Sequence, residues 1–364
     1  MNVYKTFFFT LGLFIQLPGF SQNLSKLAKP VNVVLMIADG VGISQISGGR
    51  YHLNKAMAVE KMPFVGLQKT NSFNSLNSDP AAAATAIACG VKSFDGGLGL
   101  SMDSLPVSSV LQLGADKKMK TGIITTAALT HAAVAAFWAH TANSQDNEVI
   151  ASQFLNASLD LTIGGGEKYF INRLDGVNLL EPLTSKGYQI NHISSHSDIF
   201  SKADPAKNYL AFTASDAPTA FSEGRTYLPF ATSFALDFLN TKDKENQGFF
   251  LVVNGAQIAW GAAQHNADYM LSEYEDFNKT IEKVLSFAEK DKETLVIVTS
   301  GYELGGYAVN PGSKPEKLQH EFTGKTVTGT LVPVFSYGPG ASIFTGFFEN
   351  IDFLQKLKTL FGWR

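Results

Sequence analysis

The stretch that decides the fold is VNVVLMIADG, residues 31–40. Val31–Ile37 is a valine-rich, β-favouring run that is apolar apart from Asn32, and Ala38-Asp39-Gly40 follows it directly. A strand that is apolar at successive positions is typical of a sheet covered on both faces. The stretch therefore predicts a buried central strand with Asp39 just beyond its carboxyl end.

The same pattern recurs along the chain. Further apolar runs occur at Thr121–Thr126, Leu161–Gly166, Gly248–Val253, Leu295–Thr299 and Val332–Tyr337. Helical patterns lie between them, at Ala81–Cys89, Val107–Lys117, Thr232–Leu239, Asp268–Lys290 and Asn350–Leu360. This alternation predicts an α/β fold, a three-layer α/β/α sandwich with a mostly parallel central sheet. Ligands of such sheets bind beyond the carboxyl ends of the strands, where Asp39, Asn254 and Gly301 fall.

The N-terminus has the pattern of a secretory signal. Met1–Lys5 is short and basic, Phe7–Leu17 is apolar, and small residues precede Gln22. We predict a signal peptide over residues 1–21, a secreted or periplasmic protein, and no membrane association after cleavage. An uncleaved N-terminal anchor is the alternative. Residues 22–364 are predicted to form one domain, in which the more polar segment 172–225 is a candidate cap or insertion.

Charge and cysteine content restrict the partners. The 29 Lys and Arg residues nearly balance the 32 Asp and Glu residues, giving a net charge of −3. No basic stripe is present, so nucleic acid is not expected as a partner. Cys89, the single cysteine, lies in an apolar alanine-rich pattern and is predicted to be an inert buried thiol.

The helical pattern SDPAAAATAIACG, residues 78–90, begins with unusual residues for a functional loop. Asp79 suits the N-cap position and Pro80 suits the first position of a helix. The alanines that follow carry no reactive group. The stretch therefore predicts the start of a helix and lacks the reactive side chains that a catalytic site needs.

Seven blocks in order along the chain resemble the alkaline phosphatase family. They are NVVLMIADGVGISQIS, SDPAAAATAIACGVKSFDGGLG, TGIITTAALTHAAVAAFWAH, IGGGEKYF, GFFLVVNGAQIAW, TLVIVTSGYELGG and TGTLVPVFSYGPGA. The resemblance implies the alkaline phosphatase fold. It also implies a serine nucleophile activated by two zinc ions, one magnesium ion, and an arginine that grips phosphate through two parallel hydrogen bonds.

The positions that match those functional groups carry other residues here. Pro80 stands at the position of the nucleophilic serine, and it has neither a hydroxyl nor an N–H. Ser144 falls at the position of the phosphate-binding arginine. At metal-ligand positions the chain has Ala133, Asn254, Ala259, Ala263, Gly301, Tyr302 and Val327, whereas Asp39 and His131 remain. The resemblance thus implies a degenerate member with no catalytic, cofactor-binding or metal-binding residues and no cofactor.

The losses are physically consistent with one another. Clustered carboxylates without their cations would repel and raise one another's pKa values, and neutral replacements remove that penalty. We expect Asp39 to persist by accepting hydrogen bonds from backbone N–H groups of the turn that follows it.

Three functions follow as hypotheses. The first is an inactive, secreted binding protein that forms a homodimer or a heterodimer with an active relative, a partner inferred from fold analogy. The second is a hydrolase whose mononuclear metal site is rebuilt from Asp39, His131, His265 and Glu303, with His140 and His320 also at hand. No histidine pair has the i,i+4 spacing of a helical metal site. The third is a small-molecule binding protein whose emptied pocket is lined by Asn254, Gln257, Trp260 and Tyr302.

Overall fold

The computed structural model describes residues 28–192, 203–314 and 316–363. The strands are β1 Asn32–Ala38, β2 Phe64–Lys69, β3 Lys120–Ala128, β4 Leu161–Gly165, β5 Tyr188–His192, β6 Asn208–Phe212, β7 Phe249–Gly255, β8 Thr294–Thr299, β9 Glu303–Leu304, β10 Tyr307–Val309, β11 His320–Phe322, β12 Val327–Thr328, β13 Val332–Tyr337 and β14 Gly346–Glu349. The helices are α1 Ile43–Leu53, α2 Pro80–Cys89, α3 Val110–Asp116, α4 Ala132–Ala135, α5 Asn147–Gln153, α6 Lys168–Ile171, α7 Leu180–Ser185, α8 Tyr227–Lys242, α9 Gln257–Ala263, α10 Ala267–Asp291 and α11 Asp352–Phe361.

Ten strands of the described residues form the central sheet, in the order β14-β2-β13-β8-β1-β7-β3-β4-β6-β5. Within this sheet only β13 runs antiparallel to its neighbours. The predicted mostly parallel sheet is confirmed. Ile37 near the end of β1 lies beside Asn254 of β7 and Thr299 of β8, so three strand ends meet at one edge.

Helices cover both faces of β1. Val33, Leu35 and Ile37 pack into one apolar core, which includes residues of α2, α3 and α11. Val34, Met36 and Ala38 pack into the other, which includes residues of α8 and α10. Alternate side chains of one strand are thus buried on opposite faces, which confirms the three-layer sandwich and explains why residues 33–38 are all apolar.

Helix α2 begins as its sequence predicts. Asp79 is the N-cap, its Oδ1 accepts a hydrogen bond from the N–H of Ala82, and Pro80 is the first helical residue. Gly90 ends the helix in the left-handed conformation, with φ of 67°. Cys89 is buried, and burial raises the pKa of its thiol to about 12, so it is not a reactive group.

Two predicted helices have different bounds. Helix α3 starts at Val110, because Ser109 and Gln112 form a capping box at that point. Helix α8 extends the predicted Thr232–Leu239 in both directions, and Pro229 is accommodated in its first turn.

The segment 172–225 contributes α7 to the structure and supplies β5 and β6 at one edge of the sheet. The division of the chain into domains stays a prediction, and the predicted signal peptide lies outside the described residues. Among the helices that the structure describes, none is long and apolar enough to span a bilayer.

Candidate functional site

A cleft of about 250 Å³ lies at the carboxyl edge of the sheet, at the start of α2. We call it the Pro80 cleft. Its walls include Asp79, Pro80, His131, Ser144 and Trp260, from the loops and helices that follow separate strands. The sequence-based prediction that the site lies beyond the strand ends therefore matches a real concavity.

The start of α2 is closed by its own cap. Asp79 Oδ1 accepts from the N–H of Ala82 at 2.9 Å, and Oδ2 accepts from the N–H of Gly96 at 3.0 Å. Partial burial raises the pKa of Asp79, and these N–H donors oppose that rise. Because a carboxylate already occupies the positive end of the helix and Pro80 has no N–H, this end offers no anion site.

Asp39 and His131 form the one pair of retained site residues. His131 Nδ1 lies 3.9 Å from Asp39 Oδ2, and neither atom has a hydrogen-bond partner among the described residues. Burial raises the pKa of Asp39 to about 7, although a hydrogen bond from Asn254 opposes the rise. Burial lowers the pKa of His131 to about 4, so the imidazole is neutral at physiological pH.

The expected backbone donors to Asp39 are engaged elsewhere, so that prediction is wrong. The N–H of Val41 donates to Ser300 Oγ and to the carbonyl of Ala38, while the N–H of Gly42 donates to Gln45 Oε1. The turn after β1 folds onto its neighbours instead of around the carboxylate. Asp39 Oδ2 is therefore left without a partner in the part of the chain that the structure describes.

Asn254, which the family resemblance matched to a magnesium ligand, is fully buried in the structure. Its Oδ1 accepts from Thr125 Oγ1 at 2.8 Å, and its Nδ2 donates to the carbonyl of Ile37 at 3.3 Å. These bonds join β7 to β3 and β1. The side-chain oxygen is consequently committed inside the sheet.

Gly301 and Tyr302 close the space beyond β8. A Cβ on Gly301 would lie 3.0 Å from Ala83 Cβ in α2, so the helix packs directly against this backbone. Tyr302 is buried, and its pKa is raised well above the usual range by burial and by the charges of Asp39 and Asp79. The phenol of Tyr302 therefore lies near both carboxylates and stays neutral. It fills space there without supplying an anionic ligand for a metal ion.

The other substituted positions present no polar ligand atoms. Ala133 and Ala259 are buried, and Ala263 and Val327 are partly buried. Ser144 does line the Pro80 cleft, and its hydroxyl has no partner among the described residues. Ser144 and Pro80 therefore line the same cleft in the structure.

The four residues of the hypothetical rebuilt metal site do not converge. His265 Nε2 lies 2.7 Å from the carbonyl of Gly324, and its ring stacks on Phe322. The Glu303 carboxylate accepts from Gln45, Thr328 and the N–H of Gly306. Only Asp39 and His131 lie together.

The remaining histidines also have other surroundings. His140 Nδ1 lies 2.8 Å from the carbonyl of Gly99, and His320 stacks on Tyr307. Within residues 28–192, 203–314 and 316–363, no three His, Cys, Asp or Glu side chains are grouped to hold a metal ion. One carboxylate and one imidazole do not fit the two zinc ions and the magnesium ion that the family implies.

The predicted pocket lining is only partly correct. Trp260 lines the cleft, but Asn254, Gln257 and Tyr302 are buried away from it. Gln257 Nε2 donates to the carbonyls of Thr126 and Pro218, and its Oε1 accepts from Tyr269. Sequence reasoning missed the loop residues that complete the wall, among them Thr130, Gln145, Asn147, Tyr169 and Asp216. No motif signal marks these positions, because they come from loops whose courses are set by tertiary packing.

Comparisons with known proteins agree with this fold. Residues 30–321 match the family profile described as alkaline phosphatase. Alkaline phosphatase 3 of Bacillus subtilis is 31% identical over 294 residues, which span 76% of this chain and 62% of that protein. Alkaline phosphatase of Escherichia coli K12 is 26% identical over 407 residues, spanning 91% of this chain and 86% of the relative. The structure of alkaline phosphatase from the Antarctic bacterium TAB5 superposes with a TM-score of 0.86 at 35% identity, covering 93% of this chain and all of that one. The chain therefore belongs to the alkaline phosphatase family.

Proposed function

We propose that this chain is a catalytically inactive member of its family that acts by binding. The observation that carries the proposal is Pro80 at the first position of α2, capped by Asp79. A covalent phosphoryl intermediate needs an attacking oxygen at that point, and proline supplies none.

Nearby groups do not replace the missing nucleophile. Ser144 has a hydroxyl on the same cleft, but no base in the described part of the chain is hydrogen-bonded to it to take its proton. The cations that would activate a hydroxyl or water need more donors than Asp39 and His131 supply. Loss of the nucleophile and loss of the metals thus support the same proposal independently.

The binding role is proposed with a secreted or periplasmic location and without metal cofactors. The location rests on the signal-like pattern of residues 1–21. A homodimer, or a heterodimer with an active relative, is the partner that fold analogy suggests.

A direct test combines metal content with turnover. The purified chain is analysed for zinc and magnesium, and p-nitrophenyl phosphate is then offered with and without both ions. Escherichia coli alkaline phosphatase serves as the active control. We expect metal well below one ion per chain and no release of p-nitrophenol above the buffer blank. Two zinc ions per chain with turnover that a chelator abolishes would overturn the proposal.

A phosphomonoester hydrolase with an altered metal site is the second candidate. It is favoured by one observation, the two unpaired atoms of Asp39 and His131 that lie 3.9 Å apart. If that pair holds a catalytic ion, Asp39→Asn and His131→Ala abolish any zinc-dependent turnover. His265→Ala is the matched control, because its imidazole stacks on Phe322 and does not lie with the pair. Turnover that survives both site substitutions excludes this candidate.

A further inference from the structure

We propose that the Pro80 cleft binds a neutral polyhydroxylated ligand of the saccharide class. The proposal rests on the proposed loss of phosphatase activity, since an active enzyme would fill the same cleft with a phosphate ester. It deepens that function by naming the chemistry of what is bound.

The size and one wall of the cleft suit a sugar ring. Its volume of about 250 Å³ accommodates a ligand of monosaccharide size. Trp260 lines the cleft, and His131 meets its ring edge-on at a centroid distance of 6.1 Å. A saccharide offers a face of C–H bonds that packs on an indole plane. The ring of Tyr169 is less available, because Lys168 Nζ lies 4.9 Å from its centroid.

The free polar groups of the cleft are uncharged. Ser144 and Gln145 line it, and neither the Ser144 hydroxyl nor the Gln145 side-chain amide has a hydrogen-bond partner among the residues described. His131 also lines the cleft, but its Nδ1 is buried on the side of Asp39 Oδ2 and does not count among these groups. Together the hydroxyl and the amide offer both donors and acceptors. Hydroxyl groups both donate and accept, so a polyol satisfies this mixed set without carrying charge.

An anionic ligand is disfavoured by the same walls. Asp79 places a carboxylate at the start of α2, and Pro80 removes the N–H that would face an anion. Among the described residues, the side chains that line the cleft include no lysine or arginine. A phosphate or sulfate group would therefore meet negative charge with nothing to compensate it.

A cationic ligand is disfavoured because the carboxylates of the lining are already occupied. Both oxygens of Asp79 accept backbone N–H groups. Asp216 Oδ1 accepts from the Tyr169 hydroxyl, and Oδ2 pairs with Lys168. Neither residue is free to form an ion pair with an ammonium group.

Binding can be measured by isothermal titration and by saturation-transfer NMR on the purified full chain. Glucose, galactose, mannose, their methyl glycosides and disaccharides are the neutral probes, and choline and inorganic phosphate are the charged ones. Trp260→Ala should weaken saccharide binding about tenfold, whereas Trp260→Phe retains an aromatic plane and most of the affinity. Ser144→Ala tests the polar wall without disturbing the apolar core. Trp363→Ala is the control, because this tryptophan stacks on Phe361 near the C-terminus.

Saturable binding of a neutral saccharide that is lost in Trp260→Ala and kept in Trp363→Ala supports the proposal. Preferential binding of choline or phosphate overturns it, as does the absence of saturable binding up to the solubility of each sugar. Saccharide binding that Trp260→Ala and Ser144→Ala both leave unchanged places the ligand elsewhere and also overturns it. Turnover of p-nitrophenyl phosphate is measured on the same preparation, so failure of the proposed inactivity is distinguished from failure of saccharide binding.

Discussion

Two places in the molecule bury carboxylates, and they do so differently. On α10, Glu273 and Asp276 are 2% and 1% exposed, and both bind the guanidinium of Arg225, which precedes α8. At the end of β1, Asp39 is 1% exposed and its Oδ2 has no partner among the described residues. The two carboxylates on α10 have Arg225 as their cation. Asp39 has no such cation among the described residues.

The difference explains which acidic positions a scaffold of this kind can keep. A buried carboxylate is tolerated when a cation and hydrogen bonds replace the lost water. Arg225 supplies both on α10. At the edge of the sheet no basic side chain among the described residues does so for Asp39. Further carboxylates there would repel Asp39, and the neutral residues Asn254, Ala259 and Gly301 avoid that repulsion.

Removing the internal cation should produce the largest effect. Arg225→Met leaves two buried carboxylates without compensation and should lower the free energy of unfolding by about 3–5 kcal/mol. Urea denaturation followed by circular dichroism measures the change. Lys118→Met is the control, because the Lys118–Glu245 pair is exposed to solvent and should contribute nothing measurable. Equal denaturation midpoints for Arg225→Met and Lys118→Met would show that the buried ion pairs contribute no more to stability than the exposed one.

Replacing Asp39 should change the free energy of unfolding in the opposite direction and stabilise the chain. The pKa of Asp39 is raised from 3.8 to about 7, so between these values the folded chain binds a proton that the unfolded chain releases. The contribution of Asp39 to stability therefore falls as the pH rises from about 4 to 7 and stays level above 7. Asp39→Asn does not lose this stability as the pH rises. Its free energy of unfolding should exceed that of the parent chain by up to about 4 kcal/mol at pH 8 and should equal it at pH 4.

This prediction is checked by urea denaturation of both chains across that pH range, with a chelator present throughout. Asp103→Asn is the control, because Asp103 is exposed and has no hydrogen-bond partner among the residues described. A stability difference between Asp39→Asn and its parent that stays constant with pH would show that Asp39 has a partner that keeps it ionised.

The same contrast between burial and partnership decides what the sequence could predict. The central parallel strands were recognisable because burial on both faces makes them predominantly apolar. Strand β2 was missed, since its exposed Val65 and Lys69 break the run. Helix α1 was missed because Gly48 and Gly49 interrupt a helical pattern. Only glycine fits at these two positions. A Cβ at residue 48 would lie 2.6 Å from Tyr307, and a Cβ at residue 49 would lie 2.3 Å from Tyr274.

The sequence indicated where in the fold the candidate site lies, but it did not indicate which way each side chain of the site points. Asp39, Pro80 and Ser144 follow from strand ends and from matched blocks, and Pro80 and Ser144 do line one cleft. Asn254 and Tyr302 were expected to face the cleft, but they point into the interior. The close approach of α2 to Gly301 that encloses Tyr302 is a tertiary contact, and no local pattern reports it.

A smaller effect is expected at the cap of α2. Asp79→Ala removes the acceptor for the N–H groups of Ala82 and Gly96 and should cost about 1–2 kcal/mol of unfolding free energy. Asp79→Asn keeps an oxygen acceptor at the N-cap and should lose less. If thermal denaturation shows that the two variants are equally destabilised, the charge of Asp79 matters more than its capping bond. The carboxylate would then resemble the Arg225-paired group more than an ordinary cap.

The smallest expected effect is at Pro80. Pro80→Ser keeps a good helix start while freeing the unfolded backbone, so it should cost roughly 0.5–1 kcal/mol. Pro229→Ser makes the same change in the first turn of α8 and controls for the loss of proline alone. The restored hydroxyl should give no turnover of p-nitrophenyl phosphate with zinc and magnesium present, because the groups that would hold those ions beside Asp39 are still missing. Zinc-dependent turnover in Pro80→Ser and not in Pro229→Ser would mean that Asp39 can recruit a cation from solvent. The Asp39 site and the Arg225-paired site would then differ only in where their cation comes from, and Pro80 alone would account for the proposed inactivity.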